Sequence, residues 1–162
     1  MADKSELSPE QQTLTLQEAI DLGVQHHNAG DLPRAEGIYN QILEADPNQP
    51  VPLHLLGVIA HQTGNNEKAV ELINRALTLQ PDYAEAHNNL GLALQKLNKL
   101  DDAVVHLQES LALNPDYAEA HNNLGLALIE QGKFDEAVTS FQRALALNTE
   151  FAEAYNLSLI HI

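Results

Sequence analysis

The chain has 162 residues, with eight lysine and arginine side chains against 23 aspartate and glutamate side chains, and a formal net charge of −15. It contains no cysteine, which excludes a disulfide scaffold, a thiolate zinc site and a cysteine nucleophile. An acidic chain with scattered basic residues lacks the positive face that nucleic acids and anionic membranes attract. No apolar run reaches the roughly 18–20 residues of a membrane span, and no secretory segment is present, so the sequence predicts a cytoplasmic location.

A 34-residue repeat runs through most of the chain. Four consecutive segments share one register: residues 13–46, 47–80, 81–114 and 115–148. The last two align without gaps and are identical at 23 of 34 positions. Self-similarity at a fixed period of this length is typical of repeat architectures, so four structural units are predicted.

The two ends of the chain depart from this register. Residues 1–12 are polar and are expected to form a disordered tail. Residues 149–162 are expected to begin the first helix of a truncated fifth unit. After Asn156 the register predicts Asn-Leu-Gly, but the chain continues Leu-Ser-Leu-Ile-His-Ile. We therefore expect residues 157–162 to be non-native, encoded by a sequencing adaptor, with a native apolar tail as the alternative.

Each unit is predicted to contain two helices joined by a tight turn. In the third unit Leu90 and Leu94 lie at helical spacing, and the second half of the unit shows the same pattern. A column of residues that tolerate a left-handed backbone separates the halves: Gly30, Gly64, Asn98 and Gly132. Pro47, Pro81 and Pro115 are expected to close the preceding units and to suit the first turn of the next helix. Strand patterns are absent, which indicates an all-α protein.

Glycine recurs inside the first helix of every unit. The positions are Gly23, Gly57, Gly91 and Gly125. A glycine inside a helix costs about 0.5–1 kcal/mol relative to alanine, so its recurrence needs a compensating contact. We expect close approach of the second helix, through a matching column of small residues surrounded by larger apolar side chains. The small residues are Ala35, Ala69, Ala103 and Ala137. Identical columns at a fixed step favour a solenoid over an ordinary helical bundle.

These Leu-Gly, alanine and proline columns resemble the tetratricopeptide repeat, and the resemblance covers residues 13–148. It implies an α-solenoid that forms a right-handed superhelix, whose first helices line a concave groove used to bind other proteins. One column departs from the family pattern. Members of the family commonly have tryptophan or tyrosine at this position. That column holds Ala19, Leu53, His87, His121 and Tyr155.

The resemblance also implies which side chains face the groove. They are Val24, His54, Val58, Glu85, Asn88, Asn89, Leu92, Glu119, Asn122, Asn123 and Leu126. Amide side chains both donate and accept, so the paired asparagines suit hydrogen bonding to the backbone of an extended peptide. The alternative is that the asparagines form a solvated helix face or bond to the neighbouring unit. Burial of the apolar members of the set by a ligand would contribute about 25 cal/mol of binding free energy per Å².

Two classes of function follow from the resemblance. The first is a protein-interaction scaffold that binds an extended peptide or a partner protein. An acidic C-terminal tail is disfavoured as the ligand, because Glu85 and Glu119 stand where a carboxylate clamp needs basic residues. The second is the substrate-recruiting arm of a larger enzyme, because the segment AEAHNNLG is similar to repeats of protein O-linked N-acetylglucosamine transferases.

The chain itself offers no pattern for catalysis or for a cofactor. No phosphate-binding glycine loop and no nucleophile elbow occur in the sequence. The histidines lack metal-ligand spacing such as HExxH, so a metal site is not expected. We therefore predict a protein that is not an enzyme and carries neither a cofactor nor a metal.

Overall fold

The computed structural model describes residues 13–147, and all regular secondary structure in that range is α-helical. Eight helices follow one another: α1 (Leu16–Asn28), α2 (Leu32–Ala45), α3 (Pro50–Gln62), α4 (Asn66–Leu79), α5 (Ala84–Lys96), α6 (Leu100–Leu113), α7 (Ala118–Glu130) and α8 (Phe134–Leu147). Each 34-residue segment contains one pair of helices, and we keep these segments as the proposed repeats. The expectations for residues 1–12 and 149–162, including 157–162, fall outside the described residues.

The turn inside each repeat has the left-handed residue that the sequence predicts. Gly30, Gly64 and Gly132 have φ values of 80°, 86° and 77°, and Asn98 has a φ of 58°. In the first repeat the amide of Asp31 donates to the carbonyl of His26 at 2.9 Å. This is the hydrogen bond of a Schellman motif, and the other three repeats make the equivalent bond. The chain therefore ends each first helix and reverses with its last carbonyls satisfied.

The prolines between repeats do not lie in the first turn of the next helix, so that part of the expectation is wrong. Pro81 directly follows Gln80, the C-terminal cap of α4, whereas α5 begins only at Ala84. Proline disfavours the helical conformation for the residue before it, and Gln80 accordingly has φ −137° and ψ 87°. Pro47 and Pro115 follow the caps of α2 and α6 in the same way. These prolines end helices, and only Pro50 begins one among the described residues.

The recurrent glycines lie against the second helix of their own repeat, as predicted, but the closest groups differ from those expected. A methyl group on Gly57 would lie 2.5 Å from Ile73, and one on Gly91 would lie 2.7 Å from Leu107. A methyl group on Gly125 would lie 2.6 Å from Phe141. The alanine column contributes backbone instead, with the Ala103 carbonyl oxygen 3.2 Å from the same point on Gly91. The missing side chain of each glycine therefore leaves a gap, which we call the glycine notch, and this gap accommodates a large side chain of the second helix.

The helix pairs stack in chain order. Within each repeat the two helices pack against each other, and α2, α4 and α6 also pack on the first helix of the next repeat. Successive first helices touch as well, α3 with α5 and α5 with α7, whereas second helices make no comparable contact within residues 13–147. The first helices therefore lie on the inner side of the curve. The predicted all-α solenoid is confirmed.

Candidate functional site

The inner face of the solenoid is formed by one side of α1, α3, α5 and α7. One row of equivalent residues on this face is apolar, and we call it the apolar row: Val24, Val58, Leu92 and Leu126. Leu126 is 42% exposed, and the other three are partly exposed. Their neighbours Leu90 and Leu124 are buried against the second helices. The apolar row is thus only partly covered, whereas the residues two positions earlier in α3, α5 and α7 are buried in the core.

A second row on the inner face consists of the second residue of each first helix. Its residues are uncharged in the first two repeats and acidic in the next two. It consists of Gln17, Val51, Glu85 and Glu119. The Glu85 and Glu119 side chains are exposed and form no ion pair or hydrogen bond with the described residues. Burial, followed by the charges of Glu119 and Glu85, raises the pKa of Tyr117 to about 12. The negative charges of both carboxylates therefore influence the same group, the Tyr117 hydroxyl.

Asn88 and Asn123 bond to each other across the boundary between the third and fourth repeats. Asn123 donates from Nδ2 to Oδ1 of Asn88 at 3.0 Å, and Asn88 donates from Nδ2 to the Tyr117 hydroxyl at 3.4 Å. Asn88 is fully buried and Asn123 is 7% exposed. Asn88 and Asn123 therefore bond to the neighbouring repeat, and they do not form a solvated helix face.

His54 occupies the equivalent position one repeat earlier. Its Nε2 lies 2.8 Å from Nδ2 of Asn89, and its Nδ1 lies 2.8 Å from the Tyr83 hydroxyl. Because the Asn89 amide nitrogen donates, Nε2 accepts and the ring proton is on Nδ1, from which it is donated to Tyr83. His54 is only 4% exposed, and burial lowers its pKa to about 4. The ring is neutral near pH 7, as its bonds require.

We call these two sets the inter-repeat clusters: His54–Tyr83–Asn89 and Asn88–Tyr117–Asn123. Two further bonds at the other end of the first helices have the same sequence offset. His27 bonds to Gln62 at 2.7 Å, and Gln95 donates to Glu130. All four bonds therefore join a residue to the one 35 positions later, on the next first helix. They hold successive first helices in one register along the inner face.

The remaining asparagines are less enclosed. Asn89 is half-buried and bonds to His54, and Asn122 is also half-buried. The Oδ1 atom of Asn122 is buried and has no partner among the described residues. Residue 157 is the one that would correspond to Asn123, and it lies outside those residues. The assignment of the eleven groove residues to ligand binding stays a prediction.

The tyrosines of the inter-repeat clusters were missed by the reasoning from sequence. Tyr83 and Tyr117 are 34 residues apart, and each lies 29 residues after the side chain to which it bonds. That recurrence was a usable signal. The pairing itself was not readable, because it depends on how the turn before α5 or α7 lies against the preceding first helix.

Histidine in the column that usually holds tryptophan or tyrosine has a structural role here. His87 donates from Nε2 to the carbonyl of Pro81 at 2.9 Å, and His121 donates to the carbonyl of Pro115 at 2.8 Å. His87 also stacks on His106, with 3.1 Å between their Nδ1 atoms. Burial, then the neighbouring His87, lowers the pKa of His106. Among residues 13–147 no three potential ligands converge on a common metal position.

None of the eight described helices has both the length and the apolar character needed to cross a bilayer.

Two family models match the chain. One is described as Tetratricopeptide repeat and covers residues 88–155, and the other is described as TPR repeat and covers residues 57–98. A comparison with curated proteins gave no match.

Several solved structures are similar in fold. The crystal structure of MamA is 28% identical over 85% of this chain and 82% of that chain, with a TM-score of 0.74. A thermophilic TPR protein of Thermus thermophilus, TTC0263, is 25% identical over 90% of this chain and 81% of that chain, with a TM-score of 0.79. YrrB, described as a TPR protein with an unusual peptide-binding site, is 22% identical over 89% and 76%, with a TM-score of 0.72, and shows the fold alone. Together with the repeat register, the glycine notch and the stacked helix pairs, these matches show that the chain belongs to the tetratricopeptide repeat family.

Proposed function

We propose that the inner face of the solenoid binds a partner protein or an extended peptide, and that the chain is an interaction scaffold without catalytic activity. The observation that carries this proposal is the apolar row. Burial of a partly exposed line of valine and leucine on adjacent helices by a ligand is favourable, because it removes apolar surface from water. Its alignment across four repeats suits a ligand that is long and narrow.

We assign different roles to the eleven predicted groove residues. Val24, Val58, Leu92 and Leu126 would supply apolar contact, and Glu85 and Glu119 would supply charge. The half-buried Asn89 and Asn122 would bond to a peptide backbone at the base of the groove. His54, Asn88 and Asn123 are enclosed, so their contribution would be indirect, through the spacing of the first helices. The cytoplasmic location stays a prediction.

The alternative function, a recruiting arm of a larger glycosyltransferase, gains no support from the inter-repeat clusters. That function requires asparagine amides that are free to bond to a substrate backbone. Asn88 and Asn123 instead bond to each other, which leaves Asn89 and Asn122 as the groove asparagines open to a ligand. We therefore put the scaffold first.

Selection from a displayed library of random dodecapeptides tests the proposal. The full chain, a Leu92→Ser/Leu126→Ser variant and a Val105→Ser/Leu113→Ser variant would each be immobilised. Val105 and Leu113 are 52% and 42% exposed on α6, a second helix, so the control removes similar apolar surface outside the groove. We expect peptides that the parent and the control retain and that the groove variant loses. Equal retention by all three folded proteins, or none by the parent, would refute the proposal.

A further inference from the structure

We infer that the groove selects an extended peptide that combines apolar side chains with two basic side chains, two or three positions apart, which lie over the third and fourth repeats. This inference rests on the proposed function and specifies the ligand of the same surface. It concerns the apolar row together with Glu85 and Glu119.

Charge is unevenly distributed along the inner face. The helix α3 has no aspartate, glutamate, lysine or arginine, and Val51 and Val58 are its inner residues in the two rows. The next two first helices have Glu85 and Glu119 as their second residues, at the position equivalent to Val51. The second repeat's part of the groove is therefore neutral and apolar, whereas α5 and α7 each combine one carboxylate with one leucine of the apolar row.

These carboxylates have no counter-charge within reach in the described part of the chain. No described residue forms an ion pair with either one. The single basic residue of α5 and α7 apart from their histidines is Lys96, which lies eleven positions after Glu85, about 16 Å along the helix. A peptide that lies between the apolar row and the glutamates removes part of the water around the carboxylates, and a charge that loses water without gaining a counter-charge is unfavourable. A ligand that brings its own cations is therefore preferred, a neutral peptide binds more weakly, and an acidic peptide is disfavoured.

The spacing of the two rows fits an extended chain. Leu92 and Leu126 follow the glutamates by seven residues, about 10 Å along the helix axis. A peptide that lies between the rows directs some side chains towards the glutamates and others towards the leucines, and residues on the same side are two apart in a β-strand and three apart in a polyproline II helix. Neighbouring helices are about 8–10 Å apart, and an extended peptide advances about 3.3 Å per residue, so the cations fall two or three positions apart.

The selection experiment described above tests this inference when two charge variants are added. Glu85→Gln/Glu119→Gln removes the groove carboxylates. The control variant Glu109→Gln/Glu136→Gln removes two exposed carboxylates from the second helices α6 and α8. Its net charge equals that of the groove variant. We expect lysine and arginine pairs at the stated spacing among peptides retained by the parent and the control. The groove variant should retain peptides with the apolar residues but without that enrichment.

A titration of one selected peptide makes the test quantitative. Replacing its two basic residues with glutamine should weaken binding to the parent by about fivefold to tenfold, which is the scale of two exposed ion pairs. The same replacement should have no effect on binding to Glu85→Gln/Glu119→Gln. Groove-dependent peptides without basic enrichment would overturn this inference and leave the proposed function standing. Peptides that bind without dependence on Leu92 and Leu126, or no bound peptide at all, would overturn both.

Discussion

Single positions in this protein are constrained by steric contacts that repeat every 34 residues. Gly91 is the clearest case, because a methyl group there would lie 2.7 Å from Leu107 and 3.2 Å from the Ala103 carbonyl oxygen. The contact places the two helices of a repeat close enough for the second helix to bury its large side chain. Gly37, inside α2, has no atom near the same point, so it serves as an internal control.

Gly91→Ala should therefore destabilise the protein, although alanine favours helices more than glycine does. We expect a loss of about 1–3 kcal/mol from overpacking. Gly37→Ala should instead stabilise by about 0.5–1 kcal/mol, the ordinary helix-propensity gain. Urea denaturation followed by circular dichroism measures both. If the two substitutions shift the transition in the same direction, the notch does not constrain the helix pair.

His54 should make stability depend on pH. Its pKa is about 6.5 in the unfolded chain and about 4 in the fold, so the unfolded chain takes up the proton first as the pH falls. Stability is therefore full above pH 6.5 and declines between pH 6.5 and pH 4, by at most about 3 kcal/mol. His54→Asn reproduces the residue that the next repeat has at this position, Asn88. Thermal melts should show a smaller loss of stability on acidification for this variant, and parallel curves for the two proteins would contradict the assignment.

The helices end where local backbone chemistry requires it. Each first helix stops at a left-handed residue, and the second helices α2, α4 and α6 stop before a proline that excludes helical geometry from its predecessor. Asn98 is the one non-glycine residue with positive φ among the described residues. Asparagine tolerates this conformation better than other side chains do, and glycine better still.

Substitutions at Gly132 should follow that order. We expect Gly132→Asn to lower stability slightly and Gly132→Ala to lower it by about 1 kcal/mol or more. The reverse change, Asn98→Gly, should be neutral or stabilising. Melting temperatures of the three variants decide the point. An alanine variant as stable as the parent would show that the left-handed turn does not limit stability.

Across the whole molecule, contacts between successive first helices add to the packing of the helix pairs. The inter-repeat clusters supply polar contacts at the second and third boundaries between repeats. At the first boundary Ile20 belongs to a buried apolar cluster, and Leu55 packs against that cluster. These occupy the same two positions as Asn88 and Asn123, again 35 residues apart. The solenoid thus uses either hydrogen-bonded or apolar pairs at one structural position.

This equivalence predicts a non-additive double substitution. Asn88→Ile alone leaves the Asn123 amide buried without its partner, which should cost about 1–3 kcal/mol. The Asn88→Ile/Asn123→Leu pair copies the first boundary and should recover much of that loss. Denaturation of the two single variants and the double variant gives the coupling energy. Simple addition of the two single costs would mean that the asparagines do not interact.

The fold was readable from the sequence because its determinants are local and recur in register. The left-handed residues, the glycine notch and the absence of strand patterns each predict one feature that the structure has. The roles of the asparagines were not readable in the same way, because an amide bonds equally well to water, a ligand or a neighbour. Only the relative position of two first helices decides that Asn88 meets Asn123. The proline placement was wrong because the pattern fixes where a helix ends but not where the next one begins.

The location of a bound peptide on the full chain would show directly whether the inner face is the binding surface. A selected peptide would be titrated into protein labelled at valine and leucine methyl groups, and methyl shifts would be followed by NMR. We expect shifts at Val24, Val58, Leu92 and Leu126, with Val105 and Leu113 unchanged. Shifts confined to Val105 and Leu113, with the apolar row unaffected, would contradict the claim that the inner face is the binding surface.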